Sequence, residues 1–257
     1  MTEIDTKAVQ VFVSYLSTGG RSRKTTLNVL ATLSSIMRTA KSWGYACGEF
    51  HFASLILPRE GVKKEQRAFT DDEVRRRIEA ADEPFSTILL ITAVLGLHIG
   101  ETLGLRVSDF DFAKRIVRVR QSVDSASRTI GGVKSKASSA DMPMSTELEQ
   151  RLRALLSRHN GKSALLFVNK NDRPFCADKL REKKLHPPLD KLKIPRGGFH
   201  GMRHGAASAL LADGASPALV QKQLRHSDPR ITLGIHGHVL GDQQRNAVQN
   251  RSARRVN

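Results

Sequence analysis

His200-Gly201-Met202-Arg203-His204, Leu224-Arg225-His226-Ser227-Asp228-Pro229 and Ile235-His236-Gly237-His238-Val239 gather five of the chain's nine histidines into its last third. The sequence around these three boxes reads as helix upon helix. Residues 202–213 carry small and apolar side chains and end at Gly214, and Ser216-Pro217 supplies an N-cap and a first-turn proline for a helix through Val220 and Leu224. His200 and His204, four apart, would share one helix face, as two ligands of a zinc ion do. No carboxylate or cysteine stands at a customary third-ligand spacing, so no metal is expected. Histidines satisfied beside a helical core would explain any one of these residues, but not their ordered arrangement with Arg203.

Upstream of the boxes, Val117 and Val119 alternate with Arg118 and Arg120, the pattern of a strand with one dry and one basic face. Gly131-Gly132 suits a turn and residues 140–144 a returning strand, so a three-stranded antiparallel sheet is expected inside a helical domain. Thr146 and Glu149 have capping-box spacing ahead of a buried stripe of Leu148, Leu152 and Leu155. Thr70 and Glu73 have the same spacing before Val74 and Ile78, and a buried helix through Leu89, Leu90, Val94 and Leu97 should follow. The fold class is mainly α with a small antiparallel β-sheet, α+β. Near the start, Leu30, Leu33, Met37 and Ala40 step by three or four along a helix that Ser22 can cap, and its first turn is basic through Arg21, Arg23 and Lys24. Leu57-Pro58 ends that pattern. The expected organisation is a short helical domain over 1–57, a charged linker over 58–68, a larger domain over 69–242 and a basic tail over 243–257.

Composition narrows the function. Lys and Arg number 42 against 25 Asp and Glu in 257 residues, a net charge of +17, while 39% of residues are hydrophobic. That apolar fraction supports a folded core, so the positive charge belongs to a folded surface rather than to a solvated polycation. The apolar run over 88–97 is far short of the roughly 20 residues a membrane span needs, and no export signal opens the chain. Two cysteines, Cys47 and Cys176, lie in unrelated contexts, which fits a reducing compartment. A soluble, cytoplasmic, nucleoid-associated protein that binds nucleic acid is the class left standing.

Taken in order, the three histidine boxes resemble the C-terminal boxes of the tyrosine recombinases, the phage integrase family. The segment from Leu95 to Leu105 (Leu-Gly-Leu-His-Ile-Gly-Glu-Thr-Leu-Gly-Leu), followed by Asp109-Phe110-Asp111, is similar to that family's first box. Lys134-Ser135-Lys136-Ala137-Ser138-Ser139, running into Met142-Pro143-Met144, resembles its lysine-bearing hairpin. The likeness spans about 69–239, and residues 1–57 are similar to the last helices of the family's core-binding domain, short enough to read as truncated. The resemblance implies duplex DNA as partner, no cofactor, and strand exchange in which a tyrosine attacks a backbone phosphate. It also implies assembly of four protomers through exchange of a C-terminal segment, for which the chain from Leu240 onward is the candidate. Matched position by position, Arg203 would be the second arginine, His200 and His226 the histidine donors and Lys134 the general acid, with Lys136 the weaker candidate for that acid. Glu101 matches the acidic neighbour of the first arginine. Arg21, Arg23, Lys24 and Lys136 are the candidate DNA-contacting residues outside the catalytic set.

Three departures set this sequence apart. His98 stands where the family has its first arginine, His236 where it has the nucleophilic tyrosine, and Arg225 where it has a glycine. Tyr15 and Tyr45 are the only tyrosines, both in the N-terminal segment. Losing one preorganised charge donor costs on the order of 10²- to 10³-fold in rate, and losing the nucleophile removes the covalent route altogether. The expected function is therefore a DNA-binding member of the integration and recombination machinery impaired in strand cleavage. Two other readings stay open: a non-catalytic regulator or competitor at recombination sites, and a phosphodiesterase with His236 as nucleophile or water-activating base. In geometry, Lys134 or Lys136, His200, Arg203, His226 and His236 are expected to converge on one basic pocket with His98 at its rim, and Arg225 is read as an intruding side chain.

Overall fold

Asp5 and Ser22 start the first two helices. The Asp5 carboxylate accepts from the Ala8 N–H at 2.7 Å ahead of α1 (Thr6–Thr18), and the Ser22 hydroxyl accepts from the Thr25 N–H at 3.2 Å ahead of α2 (Arg23–Ser42). This is a computed structural model, which describes residues 4–45, 47–61, 67–159, 161–230 and 232. The chain divides into two compact units, residues 1–65 and 66–257. In the first, Val9, Val13, Leu30 and Leu55 form the core, with Leu33 packed beside it. The Gln10 side chain clips the following segment to α1, donating to the Ile56 carbonyl at 3.2 Å and accepting from the Ile56 N–H at 2.8 Å.

The second unit opens as its sequence predicts. Thr70 caps α3 (Asp71–Glu79), with the Glu73 N–H donating to Thr70 Oγ1 at 3.3 Å and the Thr70 N–H to Glu73 Oε2 at 3.0 Å. Helix α4 (Phe85–Val94) is buried from Phe85 through Thr92, as a helix apolar on every side must be. A short α5 (Ile99–Leu103) leads to strands β1 (Phe110–Asp111), β2 (Ile116–Val119), β3 (Gln121–Val123), β4 (Ile130–Gly132) and β5 (Ala140–Pro143). Helices α6 (Thr146–Leu156), α7 (Ala177–Leu180), α8 (His186–Lys191), α9 (Phe199–Ala212) and α10 (Pro217–Leu224) follow, with a π-helical turn, Arg181–Leu185, between α7 and α8.

The strands form two antiparallel sheets, β1-β2-β5 and β3-β4. Val117 and Val119 face the core as expected. The other face of β2 is not a free basic surface, because Arg118 pairs with Asp111 at 2.5 Å and Arg120 pairs with Asp141. Gly131 and Gly132 lie within β4, paired with Ser122 and Gln121 rather than forming the turn. The turn is built instead by Asp124, whose Oδ1 accepts from Ala126 N and Ser127 N at 3.1 and 2.8 Å. The cap of α6 is Ser145, one residue before the predicted Thr146.

Helix α9 begins at Phe199, earlier than its apolar pattern suggests, and packs on the segment ahead of α3, where the Phe69 N–H donates to the Gly201 carbonyl at 3.1 Å. Two opposed effects meet at Gly205. Alanine there would gain about 1 kcal/mol of helix propensity, but its Cβ would stand 2.2 Å from the Phe69 carbonyl oxygen, which is backbone and cannot swing away. The clash wins, and Gly205→Ala is expected to destabilise by about 1–3 kcal/mol, measured as a lower urea midpoint at unchanged m-value.

No helix among the described residues is long and apolar enough to cross a membrane. His236, His238 and the tail over 243–257 lie outside the described residues.

Candidate functional site

Five segments remote in sequence, one of them β3 through Ser122, close around one cavity of about 610 Å³. Helix α9 contributes His200, Arg203 and His204, the entry to α5 contributes His98 and Glu101, the β4–β5 connection contributes Lys134, Ser135 and Ser138, and the end of α10 contributes Leu224, Arg225, His226 and Ser227. Of the expected set, His98, Lys134, His200, Arg203 and His226 meet here, and Lys136 opens the 3₁₀ turn Lys136–Ser138 on the same connection. His236 belongs to the residues outside the description.

Arg203 is 3% exposed, and its Nη1 and Nη2 donate to the carbonyls of Gly96 and Leu224. One guanidinium thereby ties the loop ahead of His98 to the loop ahead of His226. Gly96 holds φ +61°, and a Cβ on it would sit 2.3 Å from Leu224 Cδ2, so the loop requires glycine on both counts.

Arg225 corrects the sequence expectation. It is the C-cap of α10 with φ +56°, in the left-handed conformation that glycine ordinarily takes. Its side chain does not intrude. Nη2 donates to Glu101 Oε2 at 2.6 Å, and the two side chains are 2% and 4% exposed. The same Glu101 oxygen accepts from the His98 N–H at 2.9 Å. Glu101 lies in an almost wholly buried helix, where an ionised carboxylate needs a cation in contact. The cavity thus holds two guanidiniums beside His98.

The imidazoles form a row. His98 and His200 stack with centroids 6.0 Å apart and planes 10° apart, and His200 meets His204 edge-on at 4.5 Å. His226 Nδ1 lies 2.8 Å from the Thr232 hydroxyl.

Desolvation first, then the Arg203 charge and those of His200, Arg225 and His226, lower His98 to about 4. Solvent reaches His98 and screens part of this, and the imidazole is neutral at pH 7. Desolvation and Arg203 also push His200 down. Burial lowers Arg203 to about 10, with Arg225 adding to the effect and Glu101 opposing it, so it stays charged at pH 7. Two buried guanidiniums against one buried carboxylate leave the cavity electropositive, with Lys134 in its wall.

A pH dependence follows. His98 binds its proton less readily folded than unfolded, so between about pH 6.5 and 4 the unfolded chain holds more protons and stability falls as pH falls. In urea titrations from pH 7 to 4.5, His98→Asn should show a shallower loss of midpoint than the parent chain. Identical slopes would remove His98 from that account.

Residues 67–241 match the Phage integrase family. The chain belongs to that family. A tyrosine recombinase XerC-like protein of Caldanaerobacter subterraneus subsp. tengcongensis is 26% identical over 278 residues, covering 94% of this chain and 69% of its own. Prophage integrase IntR of Escherichia coli is 25% identical over 255 residues, covering 87% and 59%. Among solved structures, a Tn1549 transposon integrase with a circular intermediate DNA superposes with a TM-score of 0.77 at 18% identity, covering 97% of this chain and 86% of that one. XerH recombinase bound to a palindromic difH substrate superposes at 0.67 and 17%, covering 96% and 72%. At such identities the structures establish the integrase fold.

Sequence reading missed Arg225, and also Ser122, Ser135, Ser138 and His204 as lining residues. A signal for Arg225 was present: Glu101 stands in the apolar stretch 95–105, where a buried carboxylate needs a cation and the sequence offers only His98.

Proposed function

We propose that this chain is a DNA-binding member of the phage integrase family that seats a backbone phosphate in the Arg203–Arg225 cavity and does not form the family's covalent protein–DNA link. The observation that carries the reading is the cavity's charge: two buried guanidiniums and a lysine around a space with one carboxylate. A phosphodiester is planar-fork chemistry for arginine, which can donate two parallel hydrogen bonds to its oxygens. His200, His226 and Lys134 line the same cavity and add further donors. The reading of an inactive centre rests on the nucleophile. His236 occupies the tyrosine position, and residues 66–257 contain no tyrosine. Imidazole is shorter than a phenol, and its phosphoramidate would be labile.

Duplex DNA as the partner is supported by the net charge of +17 and by the DNA complexes of the integrase relatives. Residues 1–65 would add contacts through the start of α2, where Arg21 and Lys24 are exposed. Arg23 has less to offer, since its Nη1 already donates to the Pro58 carbonyl at 3.1 Å. The test is retention of a labelled duplex on a native gel alongside a denaturing gel. The reading expects a shifted duplex on the first and free duplex on the second.

A further inference from the structure

We infer that Arg225 is a phosphate-binding residue, which supplies from the end of α10 the second guanidinium that the His98 position does not; this rests on the reading of the cavity as a phosphate site. Three observations converge on it. The Arg225 side chain is almost fully buried and lines the same cavity as Arg203. Only Nη2 has an acceptor, Glu101, while Nε and Nη1 are buried without a hydrogen-bond partner among the described residues. A guanidinium carries five N–H donors, and a buried donor left unmade is costly, so the arrangement is completed by an oxyanion that accepts from Nη1. Finally, an arginine at φ +56° sits in a backbone conformation unfavourable to any side chain with a Cβ, the kind of local strain that folds keep at functional positions.

Arg203 alone cannot play the part of both arginines. Its two terminal nitrogens are committed to the Gly96 and Leu224 carbonyls, and of its other nitrogens Nε is buried without a partner. Glu101 is then a positioning residue. It fixes Arg225 through Nη2 and keeps the pair from repelling, leaving Nη1 for the ligand.

The competing view is that Arg225 only neutralises Glu101. Inorganic phosphate, titrated into the full chain at pH 7 against a chloride-matched control and followed calorimetrically, separates the two. Arg225→Gln is expected to weaken phosphate binding about 10- to 100-fold, the worth of hydrogen bonds to a charged group. Because that variant strands Glu101 and can misfold, the pair Glu101→Gln/Arg225→Gln, which removes both buried charges together, is measured beside it. The pair should fold and lose phosphate to the same extent, and Arg225→Lys should lose less. Unchanged phosphate affinity in the folded pair overturns the inference. So does a parent chain that binds duplex but no phosphate, which leaves the DNA-binding reading standing. Phosphate binding that depends on Arg225 in a chain that binds no duplex supports the inference and removes DNA as the partner.

Discussion

Between 50 and 200 mM salt, duplex affinity should fall by about 10³- to 10⁵-fold, as for a protein that neutralises roughly six to ten phosphates. The net charge of +17 on a chain with a folded core makes this the largest single effect expected. Each phosphate contact releases condensed counterions, so a plot of log affinity against log salt counts contacts. The basic faces do not contribute equally. Arg118 and Arg120 are neutralised by Asp111 and Asp141, so replacing them should leave the slope nearly unchanged. Replacing Arg21, Arg23 and Lys24 by alanine should reduce it by about 2, since one nitrogen of Arg23 is held by Pro58. An affinity indifferent to salt would remove DNA backbone binding from the account.

The second large effect is the recovery of chemistry. On nicked duplexes carrying the sequence the protein selects from a random pool, His236→Tyr alone should yield a covalent adduct, because Arg203 and Arg225 together still present two guanidiniums. Adding Arg225→Gly should suppress the adduct about 10²- to 10³-fold, the cost of one preorganised donor. Adding His98→Arg to that double variant should restore it, since residue 98 lines the same cavity as Arg203 and Glu101. The sequence alone argues otherwise, because it counts His98 as a lost arginine and Arg225 as an obstruction. Equal adduct with Arg225 and with glycine at that position would contradict the two-guanidinium site.

Local signals carried much of the fold. Ser22, Thr70 and Ser216 cap the helices they precede because side-chain oxygen and N–H lie within one turn, and such spacing is visible in sequence. The alternation of Val117 and Val119 with arginines marks a strand for the same reason. The ordered boxes brought His98, Lys134, His200, Arg203 and His226 to one cavity across more than a hundred residues, as the family likeness implies. What stayed hidden depends on contacts between distant segments. The glycines at 131 and 132 are a strand because β3 supplies partners, and the basic face of β2 vanishes because Asp111 and Asp141 lie opposite. The Arg225–Glu101 pair joins residues 124 apart, so nothing local in the sequence announces it.

The most direct test of a phosphate-binding but non-cleaving centre uses the unaltered chain and nicked duplex at 50 mM salt, divided between a native and a denaturing gel. The account predicts full retardation of the duplex on the native gel and none on the denaturing gel, at any incubation time. A protein-linked DNA band that survives denaturation would contradict it, as would a duplex that the unaltered chain fails to retard at all.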